Sequence, residues 1–179
     1  MKHQEYILIV KEKVSLLNQD SLLFWDLWCL NYVFEKINNK NYSFYADIEK
    51  SYKLLWDYND KINNNFDIIL NDKSVNNIIN FDNDEFEDLD EFDIEEKAIQ
   101  EMIVGLESIL LNFKEHFKLI YNAYENPINV IDVEIDGILI SKDNENEIYL
   151  NEINSQIKLL DDLNSNVRNY TFKEKNIYR

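Results

Sequence analysis

From Asp82 to Glu96 the chain reads DNDEFEDLDEFDIEE, acid upon acid with no Lys or Arg among them. Carboxylates this close repel one another, so the run favours a partner that brings positive charge. Phe86, Leu89 and Phe92 are interleaved with the acids. Apolar anchors inside a ring of charge suit a tight protein interface, where rings supply affinity and carboxylates steer the encounter. The candidate partner-binding residues are therefore Asp84, Glu85, Phe86, Glu87, Asp88, Asp90, Glu91 and Phe92, the acids for steering and the two Phe as anchors. The competing account is a solubilising loop followed by Asp93, Glu95 and Glu96 at a helix start, where the macrodipole favours negative charge.

Other chemistries find less support in these residues. A di-iron bundle needs two Glu-x-x-His units; His3 and His116 are the chain's only histidines, and neither has Glu three positions before it. Zinc needs Cys and His clusters that are missing. An EF-hand loop begins at Asp82 and Asp84 but is broken by Phe86 and Glu87. Weak, non-specific calcium binding is the most the run offers, so neither a specific metal nor a cofactor is expected. Cys29 lies among Leu27, Trp28 and Leu30 in a helical pattern, the setting of an inert packed thiol. His116, between Glu115 and Phe117, reads as a partly exposed helix residue rather than a general base. With Gly105 and Gly137 as the only glycines, no phosphate-cradling loop or nucleophile elbow can be built. The adjacent pairs Glu95-Glu96 and Asp161-Asp162 point in different directions on a helix and do not converge. No enzyme activity is expected. The aromatic residues Phe24, Trp25, Trp28, Tyr32, Trp56 and Tyr58 read as core; Trp25 falls off the main stripe, and exposed it would mark a contact.

The elements that must position these residues are helical. The sequence has Gly 2 and Pro 1, too few for the turns of a sheet protein, and Asn supplies the caps and loops instead. Apolar spacing predicts helices over about 3–18 (Ile7, Val10, Val14, Leu17) and from a cap at Asn18 or Asp20 to about 36. The second is apolar on so many sides that it should be a buried element. A third helix is expected over 42–58, with Ile48, Tyr52, Leu55 and Trp56 inward, and a short fourth through Ile62, Phe66, Ile69 and Leu70. The strongest periodicity runs from Ile99 through Met102, Leu106, Leu110, Phe113, Phe117 and Ile120 to Tyr124, predicting a long helix from 92–94 to 125. Its Gly105 is expected at a close helix–helix approach. Asn126-Pro127 reads as an N-cap with Pro at the first helical position. Residues 128–140 fit strand and helix periods alike; helix is preferred because a lone strand has no obvious partner. A last helix is expected over 144–172 with Leu150, Ile153, Ile157, Leu160, Val167 and Tyr170 inward. The expected fold class is all-α: one domain over 1–179, an antiparallel bundle of about six or seven helices around one long central helix.

Composition bounds the rest. Hydrophobic residues make up 45% of the chain and aromatics 13%, enough for a large core. The formal net charge of -17 disfavours nucleic acid and anionic membranes and favours a basic protein partner. One cysteine precludes an internal disulfide, and neither a leader nor a bilayer-length apolar segment is evident. The expectation is a cytoplasmic protein.

The order of segments resembles the YjaG-like family of bacterial proteins of unknown function. Phe24 and Cys29 on an early helix followed by Asn41-Tyr42 are similar to that family, as are the segment Tyr52-Lys53-Leu54-Leu55-Trp56-Asp57 and the acidic element Asp90-Glu91-Phe92-Asp93 before a long helix. Where the family carries Tyr-Gly and Tyr-Pro-Ala after that element, this chain has Ile94-Glu95-Glu96-Lys97-Ala98, so a site built on those residues would be lost. The resemblance implies a compact all-α fold and no catalytic residues. Taken together, the residues favour a non-enzymatic acidic binding protein, in its sharpest form an immunity protein that covers the cationic surface of a nuclease-like toxin. A YjaG-like housekeeping protein with a small ligand or weak metal binding is the alternative.

Overall fold

Asn, Asp and Thr side chains set where several of the helices begin. The computed structural model of the chain describes residues 1–82, 89–136, 146–165 and 169–179. Among these the fold is all-α, with no strand. The helices are α1 (His3–Val14), α2 (Gln19–Phe34), α3 (Tyr45–Asn59), α4 (Phe66–Leu70), α5 (Lys73–Ile79), α6 (Ile94–Lys114), α7 (Glu125–Glu134) and α8 (Glu147–Ser165), followed by a 3-10 turn at Phe172–Glu174. Asn18, Asn65, Asp72 and Asp93 cap α2, α4, α5 and α6 by accepting backbone N–H groups that the first turn leaves unpaired. Thr171 and Glu174 form a reciprocal capping box on the 3-10 turn.

The buried apolar side chains form one contiguous cluster. α2 runs through it, against α3, α6 and α7, and buries Leu23 to Asn31 without interruption. This explains its all-round apolar sequence: neighbours on several sides leave no solvated face. Trp25 is 1% exposed and stacks on Trp28 at 5.9 Å, so it belongs to the core and marks no contact surface. Ile48, Tyr52, Leu55 and Trp56 of α3 are buried as their spacing predicts. α6 packs against α2, α3, α5 and α7. A Cβ on Gly105 would lie 2.3 Å from Leu30 Cδ2 and 2.9 Å from the Tyr121 hydroxyl, so this glycine does mark a close approach.

Several helices are shorter than the apolar spacing alone implies. α6 stops at Lys114, well before 125. His116 and Phe117 take left-handed φ values of 53° and 58°, and Asn112 holds the reversal: its carbonyl accepts from Phe117 N (2.7 Å) and its Oδ1 from Leu119 N (3.1 Å). Phe117 still packs on Phe113 at 4.7 Å, so the apolar period continues in space after the helix has ended. His116 is therefore an exposed turn residue and not a helical one. Ile120, which the periodicity puts inside, is 94% exposed. α8 is described to Ser165 and the chain is no longer helical at Asn169; Tyr170 reaches the core from beyond the helix by stacking on Phe24 at 5.1 Å. The stripe that α8 buries runs through Tyr149, Ile153, Gln156, Leu160 and Leu163, leaving Leu150 and Ile157 half-buried; Val167 lies outside the described residues. Where one short helix was expected there are two, α4 and α5, and Ile62 stands 73% exposed. Pro127 sits inside the first turn of α7, where its missing N–H has no intrahelical acceptor to lose. Asn126 does not cap α7; it is buried and bonds elsewhere.

Candidate protein-docking surface

The start of α6 is held by carboxylates that fold back on the backbone. Asp93 Oδ1 accepts from Glu95 N and Glu96 N, both at 3.0 Å. Asp90 Oδ1 accepts from Phe92 N at 2.9 Å, and Asp90 N donates to Glu96 Oε2 at 2.5 Å. Glu95 reaches the loop before α3, accepting from the backbone N–H of Asn38 (2.9 Å) and of Asn39. Glu96 also takes the Tyr42 hydroxyl at 3.3 Å. Part of the acidity at this helix start is thus structural: Glu95 and Glu96 both tie α6 to the 38–42 loop.

Among the described residues of the run, the large ring of Phe92 stands out at the surface. Phe92 is 80% exposed, and Glu91 is exposed beside it. On each side of Phe92 is a cleft of about 540 Å³. One is lined by Leu89, Asp90, Gln100, Glu101 and Val104, the other by Asn129, Asp132, Val133 and Asp136. Glu91, Phe92 and Lys97 belong to both. Glu101 is 7% exposed and carries the densest set of bonds here. Lys97 Nζ lies 2.9 Å from its Oε1, Asn129 Nδ2 donates to Oε1 at 3.1 Å, and Asn126 Nδ2 donates to Oε2 at 2.9 Å. Tyr121 in turn donates to Asn126 Oδ1 at 2.6 Å.

Of the candidate residues read from sequence, Asp90, Glu91 and Phe92 come together at these clefts. Asp84, Glu85, Phe86, Glu87 and Asp88 lie outside the described residues. Sequence reasoning missed Lys97, Glu101, Asn129, Asp132 and Asp136. The four-residue spacings 97–101 and 132–136 were visible, but nothing in the sequence says that α6 and α7 lie side by side.

Elsewhere, titratable groups are committed to packing. Burial pushes the Cys29 thiol well up, which agrees with inert packing. Asp26 is 1% exposed, burial pushes its carboxyl well up, and its Oδ1 has no hydrogen-bond partner among the described residues. His3 Nδ1 lies 2.8 Å from the Tyr149 hydroxyl, and burial lowers its pKa. A further cleft of about 650 Å³ at the start of α2 is lined by Asn18, Ser21, Asn59, Lys61, Asn169 and Tyr170. Among the described residues no group of His, Cys, Asp and Glu is arranged to hold a metal ion, and no helix is long and apolar enough to cross a membrane. Comparison with family models, curated proteins and solved structures gives no match for this chain.

Proposed function

We propose that this chain is a non-enzymatic acidic binding protein that docks a basic protein through the start of α6. The observation that carries the reading is Phe92, a large ring 80% exposed between two clefts edged by carboxylates. An exposed aromatic costs solvation when free and gains it back when covered, and it is the residue class that anchors interfaces. The formal net charge of -17 adds a long-range field that speeds encounter with a cation. In its sharpest form the partner is a nuclease-like toxin, which must be positive where it grips phosphate. An immunity protein of this kind occupies that surface by presenting charge in place of nucleic acid. The acids Asp84, Glu85, Glu87 and Asp88 adjoin this site in sequence and add to its negative charge in this account, and α6 serves as the central helix of the bundle that carries it. A cytoplasmic location and a YjaG-like ancestry fit the reading.

The polar cleft at the start of α2 favours a different account, a housekeeping protein with a small ligand, because its lining is rich in amides and hydroxyls. The two separate in one experiment. A photo-crosslinking phenylalanine analogue at position 92 in native cells should capture a protein of basic pI, with yield falling steeply as salt rises. Capture of neutral proteins alone, or of none, would remove the docking role.

A further inference from the structure

Glu101 differs from every other acid around Phe92. Asp90, Glu91, Asp132 and Asp136 border the clefts; Glu101 lines the first of them with a side chain only 9% exposed. Its orientation is fixed by the buried Asn126 and by Asn129 at the second cleft, both on α7. Asn126 also donates to the Glu101 carbonyl at 3.2 Å, and is itself held by Tyr121. The cost of taking this carboxylate out of water has therefore been met within the fold, and its remaining acceptor capacity faces the cleft side. What occupies that side is Lys97, one turn earlier on the same helix, in a single contact with Oε1 and with 22% of its side chain exposed. An ammonium is a compact point charge on a flexible stem. A guanidinium is planar, can engage a carboxylate through two parallel N–H groups, is more weakly hydrated, and stacks on aromatic faces. An exposed phenyl ring, Phe92, stands between the same clefts.

Resting on the docking reading above, we infer that Glu101 is the receptor for an arginine guanidinium of the basic partner, with Lys97 the resident cation that it displaces and Phe92 the ring that covers it. Charge complementarity selects this occupant. The clefts set Asp90, Glu91, Glu101, Asp132 and Asp136 against Lys97 alone. Arginine is preferred over lysine because a second ammonium would merely repeat the contact Lys97 already makes. A partner lysine gains no bidentate geometry and no stacking in exchange.

The test uses the full chain and two synthetic probes, octa-arginine and octa-lysine peptides, with affinity measured calorimetrically at physiological salt. Octa-arginine should bind at least threefold tighter than octa-lysine. Glu101→Gln should weaken octa-arginine about tenfold, Phe92→Ala several-fold, and Lys97→Met should tighten it several-fold. Neutralising two exposed acids elsewhere, Glu12→Gln with Asp67→Asn, should change it less than twofold. If Glu101→Gln fails to fold, Lys97→Met decides: unchanged or weaker binding overturns the inference. Octa-arginine binding that loses no more from Glu101→Gln than from the distant pair, or that octa-lysine matches, overturns the Glu101 assignment while leaving acidic recognition intact. Absence of binding by either peptide overturns both.

Discussion

Two glutamates on this molecule meet a cation with opposite consequences. Glu152 on α8 takes Arg179 through two bonds, Nε to Oε2 at 2.9 Å and Nη2 to Oε1 at 2.7 Å. The guanidinium lies 3.4 Å from the Trp28 ring centroid and donates to the Trp28 carbonyl at 2.7 Å. Behind it, Gln156 donates to Glu152 Oε1 at 3.0 Å and accepts from the Tyr6 hydroxyl at 2.5 Å. The rest of the last segment follows: Trp28 Nε1 donates to the Ile177 carbonyl at 3.0 Å, and Asn31 Nδ2 to Asn176 Oδ1 at 2.6 Å. Glu101 has the same buried carboxylate and the same amide support, but its cation is a monodentate Lys97 at the edge of an open cleft. The difference separates a closed internal clamp from an ion pair at the edge of an open cleft. One site has spent the bidentate geometry and the aromatic face of arginine on its own chain, and the other has left both unspent.

The largest break in this comparison should come from Glu152→Ala. It leaves Arg179 with one partner fewer in a nearly closed site, where Glu152 is 3% exposed, and should cost about 3–5 kcal/mol. Chemical denaturation would read that loss directly, together with release of Trp28 fluorescence to solvent as residues 169–179 detach. A loss below about 1 kcal/mol would place the clamp among ordinary surface pairs.

A smaller effect is expected at Asp26, a buried carboxyl that has neither arginine nor lysine against it among its described contacts. Burial raises its pKa well above the ordinary value, so the folded chain holds the proton more tightly than the unfolded chain does. Stability from this group is fully present below the unfolded carboxyl pKa and is lost as pH rises through the carboxylate range toward the folded value. Asp26→Asn should flatten that decline, and stability measured from pH 4 to pH 8 for both chains checks it. Parallel profiles would mean that the wild-type carboxyl ionises in place without cost.

The smallest effect sharpens the contrast most. Lys97→Met should cost clearly less stability than Glu152→Ala, because Asn126 and Asn129 still hold the Glu101 carboxylate once the ammonium is gone. A loss as large as that of Glu152→Ala would make Lys97–Glu101 a second clamp and leave no exchangeable position.

Much of the helical layout was legible beforehand. Asn18 and Asp93 stand where helix caps should stand, and Ile48, Tyr52, Leu55 and Trp56 are inward as their spacing says. The failures share one cause. Apolar period reports which residues seek the core and is silent on whether they reach it by one helix or by a reversal. Phe117 satisfies the period of α6 after its backbone has turned left-handed. Tyr170 does the same beyond α8. Of the residues that line the two clefts, Asp90, Glu91 and Phe92 stand out in the sequence because a run of like charge with interleaved rings is local. Glu101, Asn129 and Asp132 do not, because their meeting depends on α6 lying against α7.

The residues alone determined that this chain would be helical, acidic and built around large rings, since glycine and proline scarcity, cap chemistry and apolar spacing act over a turn or two. They also determined where negative charge accumulates. The tertiary structure decided which of those charges remain available. Glu95 and Glu96 are drawn into backbone bonds, Glu152 is sealed beneath Arg179, and Glu101 is held by a single lysine contact at a cleft beside an exposed ring. A carboxylate's capacity is set by what packs around it, and packing joins residues that the sequence holds far apart.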